Sequence, residues 1–225
     1  LGGPPSAIDP SGWNTYISVA SADETAAAVE ANGGKVIGAP MDIPGSGRSA
    51  QCADPEGARF GIWQPNQLAG LERVNEAGSW VFSELNSADL DAAGRFYGAV
   101  SGWEVGTVGV PDDPAWFFRV PGYGDFLAER SPEVREFQES GEGPPGFADA
   151  VAILQPLAAD AHEPSPHWST TFAVADADAA FARATEVGAQ VVTPPFDTPF
   201  TRQSAVRDPQ GAVFNLSEYR PDNAG

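Results

Sequence analysis

Residues 13–36, WNTYISVASADETAAAVEANGGKV, and residues 168–191, WSTTFAVADADAAFARATEVGAQV, are two copies of one text. Aligned without a gap at Trp13 and Trp168, Thr15 meets Thr170, Val19 meets Val174, Asp23 meets Asp178 and Gly33 meets Gly188. Further on, Val36 meets Val191, Pro40 meets Pro195, Asp42 meets Asp197 and Pro44 meets Pro199. One residue then drops out. After it Arg48 meets Arg202, Asp54-Pro55 meets Asp208-Pro209, Gly57 meets Gly211 and Phe60 meets Phe214. Matches in this order mark an internal repeat of one supersecondary unit.

Each copy reads by its period. WNTYISV (13–19) and WSTTFAV (168–174) alternate and are rich in β-branched and aromatic residues, as strands are. Ser21 or Asp23, and Asp176 or Asp178, are placed to cap the alanine-rich segments that follow. Those segments predict one amphipathic helix each, ended by Gly33 and Gly188. KVIGAP and QVVTPP are short strands stopped by proline, and SAQCA and SAVR begin the next strands. DPEG (54–57) and DPQG (208–211) predict tight turns, because proline presets one dihedral and glycine accepts a positive one. ARFGIW and AVFNLS close each unit, so the predicted order is β-α-β-β-β.

A third, more divergent copy lies between them. SWVFSELNS (79–87) predicts a strand, ADLDAAGRFYGAV (88–100) a helix, and WEVGTV, AWFFRV and GDFLAE strands. PEVREFQESGEGPPG (132–146) is a charged insertion, and FADAVAILQPL (147–157) predicts another strand. QLAGLERVNEAG (67–78) is a polar linker. The expected organisation is a first unit over 1–66, the linker over 67–78 and a complete two-unit domain over 79–220.

Composition limits what such a chain does. Among 225 residues, 12 Lys and Arg against 31 Asp and Glu give a net charge of −19. No stripe of basic residues is available to meet a phosphate backbone or an anionic membrane, so nucleic acid and lipid surfaces are excluded as expected partners. No apolar run reaches the roughly 18 residues of a membrane helix. Cys52 is the single cysteine, so an internal disulfide is impossible and a reducing cytoplasm is expected. The first residue is Leu1 and the only methionine is Met41, from which the natural chain is expected to begin earlier.

The strand followed by ADLDAAGRFYGAVSGW, the FAVADADA entry from strand to helix, and the DPxG turn before each closing strand resemble the vicinal oxygen chelate superfamily (glyoxalase, bleomycin-resistance and dioxygenase proteins). The order and linker are similar to its tandem-domain members common in actinobacteria. The resemblance implies an α+β fold in which two βαβββ modules pair into one incurved mixed sheet, helices outside, around a pocket. It also implies that the first module pairs with a missing amino-terminal module or with another chain.

Chelating members hold a divalent ion through His or Glu near the start of each module's first strand and on its last strand. Carried over residue by residue, those positions fall on Phe82, Ser169 and Asn215, and in the first copy on Asn14 and Gly61. None is a strong ligand, whereas a bound metal needs three or four donors. No metal and no cofactor are therefore expected. The two histidines, His162 and His167, sit in a proline-flanked stretch.

Period two puts Trp80, Phe82 and Glu84 on one face of their strand. Ser169 and Thr171 take the equivalent face of the last copy, as do Asn215 with Ser217 on its closing strand. The first copy offers Asn14, Tyr16 and Trp63. Aromatic walls with a few neutral polar groups suit a flat organic ligand. Glu84 is the candidate acid, base or anchor, with a pKa expected to rise by burial. Arg48 and Arg202 are candidate carboxylate clamps or surface residues. Trp13 and Trp168 are expected in the core. Cys52 is expected to be a buried, inert thiol. Together these residues predict a metal-independent binding protein for an aromatic or hydrophobic small molecule, in the manner of the bleomycin-resistance branch. The alternative is a metal-dependent lyase, isomerase or extradiol-type dioxygenase.

Overall fold

The computed structural model describes residues 12–71, 73–110, 113–130, 135–136, 140, 147–157 and 165–220. The first copy runs β1 (Tyr16–Ser18), α1 (Ala22–Ala31), β2 (Lys35–Ile43), β3 (Gly47–Ala53) and β4 (Arg59–Pro65). The middle copy runs β5 (Trp80–Ser87), α2 (Leu90–Ser101), β6 (Glu104–Val110), β7 (Asp113–Arg119), α3 (Tyr123–Arg130) and β8 (Ala150–Pro156). The last runs β9 (His167–Ala173), α4 (Ala177–Glu186), β10 (Gln190–Asp197), β11 (Thr201–Arg207) and β12 (Val213–Tyr219).

The helices start where polar side chains satisfy their first N–H groups. Ser21 accepts from the Glu24 amide at 3.3 Å, Asp89 from Ala92 at 2.9 Å and Asp176 from Ala179 at 2.9 Å. Asp23, Asp91 and Asp178 add negative charge to the first turns, where the helix dipole favours it. The predicted DPxG turns form. Asp54 and Asp208 each accept two backbone N–H groups, and Gly57 and Gly211 hold φ of +96° and +101°.

The chain is α+β, with two mixed sheets. Four strands form one sheet in the order β1-β4-β3-β2, and eight form the other in the order β10-β11-β12-β9-β5-β8-β7-β6. The larger sheet is two like halves. In each half the first strand runs parallel to the last, β5 to β8 and β9 to β12, and β5 and β9 join the halves antiparallel. That junction is the middle of the sheet, and the candidate site is built on it.

α2 buries Ala93, Phe96, Tyr97 and Val100, one stripe at helical spacing. The stripe packs on Leu85, Phe118, Leu154 and Trp168 from one side of the eight-stranded sheet. The same buried cluster continues into the first copy through Ile17, Val29, Cys52, Phe60 and Ile62. Tyr97 is its hub. Its hydroxyl accepts from Trp168 Nε1 at 2.9 Å and donates to Asp54 at 3.1 Å, so one polar chain crosses all three copies. Cys52 is fully buried, and burial pushes its thiol up to about 11. Among the described residues no helix is long and apolar enough to cross a membrane.

Three expectations need correction. GDFLAE is helical, forming most of α3. β7 already pairs with β6 on one side and β8 on the other, which leaves no edge there for another strand. The first strand of the first copy is shorter than 13–19, spanning Tyr16–Ser18 against Gly61–Trp63 of β4. Trp13 therefore lies outside the sheet and is 49% exposed, with its ring 4.8 Å from that of Phe172. Its equivalent Trp168 is buried as expected, because Tyr97 supplies a partner for its indole N–H. The insertion over 132–146 falls almost wholly outside the described residues.

Arg48 and Arg202 perform one structural role in the first and last copies. Arg48 grips Asp23 with two bonds of 2.7 and 2.9 Å and reaches Asp42 at 2.9 Å. Arg202 grips Asp178 with the same two distances and approaches Asp197 to 3.1 Å. Each guanidinium ties a helix start to a β-hairpin and holds Asp23 or Asp178 below the ordinary carboxyl value. Both guanidiniums are thus engaged by carboxylates of the protein itself.

Candidate functional site

Alternation along β5 sends Leu85 toward α2 and sends Phe82 and Glu84 to the opposite face. Register then gathers their neighbours. Phe82 stands opposite Thr171, Glu84 opposite Ser169 on one side and Ile153 on the other, and Asn215 beside Thr171. Four adjacent strands, β8, β5, β9 and β12, thus each contribute a polar residue to one patch.

Glu84 is the centre of it, at 4% exposure. Thr171 donates its hydroxyl to one carboxylate oxygen. Gln155 donates to the other at 2.9 Å and Asn215 at 3.4 Å, and Asn215 also lies 3.3 Å from the Thr171 hydroxyl. All three donors are neutral. Around this floor, Phe82, Ile153, Gln155, Ser169, Asn215 and Ser217 are half-buried. Phe82, Phe117 and Phe147 meet edge to face with centroids 5.5–6.0 Å apart, which makes an aromatic wall beside the carboxylate.

Burial pushes the Glu84 carboxyl above its ordinary value of 4.5, while Thr171, Asn215, Gln155 and the charge of His167 pull the other way. A carboxyl whose folded pKa is raised favours folding while protonated; that contribution is present below pH 4.5 and is lost as pH rises through the raised value. Glu84→Gln keeps the shape and leaves an amide that accepts from Gln155 and Asn215 and donates to Thr171. The variant is therefore expected to be more stable than wild type near neutral pH, with the gap closing as pH falls. Denaturant titrations at a series of pH values check this; a gap independent of pH contradicts it.

The site residues expected from sequence divide into three groups. Phe82, Glu84, Ser169, Thr171 and Asn215 come together. Trp80 does not: a bulge between Trp80 and Phe82 turns it to the other face, opposite Phe172, where its indole donates to Ser83 at 3.3 Å. There it lines a cleft of about 280 Å³ with Leu71, Arg73, Glu76 and Phe172. Tyr16 and Trp63 belong to the four-stranded sheet and Asn14 to the segment just before β1, not to this patch. Asn14 bonds the Gly12 carbonyl, Tyr16 accepts from Gln51 at 2.7 Å while 46% exposed, and Trp63 donates to the Leu68 carbonyl at 3.0 Å. Gln155, Phe117 and Phe147 were not anticipated. The polar Gln155 beside the buried Ala152 and Leu154 in AVAILQP marks the outer parity of β8, but its neighbour across the sheet is a matter of register.

The chelate that the resemblance implies does not fit these side chains. Glu84 is a single carboxylate, and Gln155 and Asn215 present N–H groups to it where a metal needs lone pairs. Among the described residues no three His, Cys, Asp or Glu side chains form a group able to hold a metal ion. His167 lies at the start of β9 with Nδ1 2.8 Å from the Ser165 carbonyl; His162 is outside the described residues.

Comparison with known proteins agrees with this architecture. A family model described as a glyoxalase-like domain matches residues 81–217. The anthracycline biosynthesis protein DnrV of Streptomyces peucetius is 35% identical over 214 residues, covering 94% of this chain and 67% of that protein. The putative glyoxylase CFP32 of Mycobacterium bovis is 34% identical over 214 residues, covering 93% and 70%. Among solved structures, the Mn(II)-bound glyoxalase from Novosphingobium aromaticivorans superposes with a TM-score of 0.51 at 17% identity, over 90% of this chain and 61% of that one. The 2,2',3-trihydroxybiphenyl 1,2-dioxygenase from Sphingomonas wittichii gives 0.51 at 14% identity, over 92% and 71%. At these identities the two structures show the fold alone.

Proposed function

Since the chain belongs to the glyoxalase-like domain family, we propose that its eight-stranded sheet binds an aromatic or hydrophobic small molecule without a metal ion. The observation that carries this reading is the patch itself, a buried carboxylate held by three neutral donors beside a wall of three phenylalanine rings. Ligand sites combine such apolar surface with a few placed polar groups. A relative named for anthracycline biosynthesis supports an aromatic ligand. Isothermal titration against a panel of fused-ring aromatic natural products tests it. The expected result is saturable binding of at least one member, and heatless titrations throughout the panel count against it.

The first copy belongs to the same reading. β9 pairs antiparallel with β5 along its outer edge, whereas the equivalent edge of β1 carries no strand among the described residues. We propose that this edge receives a preceding module of the same kind or one from another chain, in the tandem arrangement that the family resemblance implies. The lone, buried Cys52 suits a reducing, cytoplasmic setting.

A further inference from the structure

An ionised carboxylate offers about four acceptor sites, and Thr171, Gln155 and Asn215 fill three of them. Every one of these donors is neutral, so the charge of Glu84 is spread but not cancelled. The elements packed around it present Ile153 and Gln155 from β8, Asn215 from β12, and Ser169, Thr171 and His167 from β9. His167 is the titratable group that acts on it, and no lysine or arginine forms an ion pair with it among the described residues. A buried carboxylate lacking a full cation is stabilised most by a ligand that brings one.

We propose that the ligand is an aromatic amine carrying a protonated, non-ring nitrogen, and that its ammonium docks on Glu84. This rests on the binding reading above and names its chemical class. One N–H fills the remaining acceptor site of Glu84. The amide carbonyls of Gln155 and Asn215 and the Ser169 hydroxyl, on the same sheet face, are acceptors for the others. The ligand's rings lie along Phe82, Phe117 and Phe147. A neutral hydroxyl makes the first bond but leaves the charge uncompensated, so the site discriminates between amine and alcohol.

The test is a matched pair of fluorescent probes, 9-(aminomethyl)anthracene and 9-anthracenemethanol, titrated into wild type and Glu84→Gln near neutral pH. The amine is expected to bind wild type at least about tenfold more tightly than the alcohol. Glu84→Gln is expected to abolish that preference by weakening the amine more than the alcohol, and a cooperative denaturant transition shows that the variant is folded. The preference is expected to persist at about 0.5 M NaCl, where attraction to a surface of net negative charge is screened. Alcohol binding with no amine preference overturns this inference and leaves the binding reading standing. A preference that survives Glu84→Gln, or disappears with salt, assigns it to surface charge and overturns the inference. If neither probe binds, both readings fall.

Discussion

Tyr97→Ala is expected to cost roughly 3–5 kcal/mol of stability, measured as a fall in the denaturant midpoint. Tyr97 is fully buried and its ring centroid lies 4.9–5.9 Å from those of Phe60, Phe96, Trp103, Phe118 and Trp168. The cavity left by alanine sits where the first copy, α2 and the eight-stranded sheet meet, and no single element can shift to fill it. Tyr97→Phe keeps the rings but strands Trp168 Nε1 and one oxygen of Asp54, a loss of about 1–3 kcal/mol. Asp54 is already held above the ordinary carboxyl range, with burial as the main cause. A Tyr97→Ala protein as stable as wild type contradicts the continuity of this core between the two sheets.

The second large effect falls on binding. Ser169→Trp is expected to weaken aromatic ligands by about 100-fold or more, equivalent to about 2.8 kcal/mol, with little change in stability. Ser169 is half-buried opposite Glu84, and its hydroxyl makes only long contacts, 3.3 Å from Asn86 and 3.5 Å to the Glu84 carbonyl. An indole there covers the carboxylate and occupies the space in front of Phe82. Titration with 9-anthracenemethanol checks it, with a denaturant midpoint as control. Unchanged affinity places the ligand elsewhere, the cleft beside Trp80 being the next region to test.

Local chemistry made much of this legible. The repeat is legible by aligning the chain with itself, and the N-caps of the first and last copies and the two DPxG turns are readable because each needs only neighbours in sequence. Period two correctly brought Phe82, Glu84, Thr171 and Asn215 to one kind of face, and the rise in the Glu84 pKa follows from burial. Parity fails at Trp80, because one bulged residue inverts everything before it and nothing in SWVF announces the bulge. It also cannot say which sheet a face belongs to. Asn14, Tyr16 and Trp63 occupy equivalent positions in the repeat and still stand apart from Glu84, the last two on the smaller sheet and Asn14 just before it. Gln155 and α3 were hidden for a related reason: strand register and the supply of free sheet edges are settled by tertiary pairing.

On the reading proposed above, the Glu84 face binds its ligand through the protein's own side chains. Titrating 9-anthracenemethanol into protein stripped with EDTA, and into the same protein resupplied with Mn²⁺, tests it most directly. Equal affinities in the two preparations are predicted. Binding that vanishes on stripping and returns with the ion would contradict the claim.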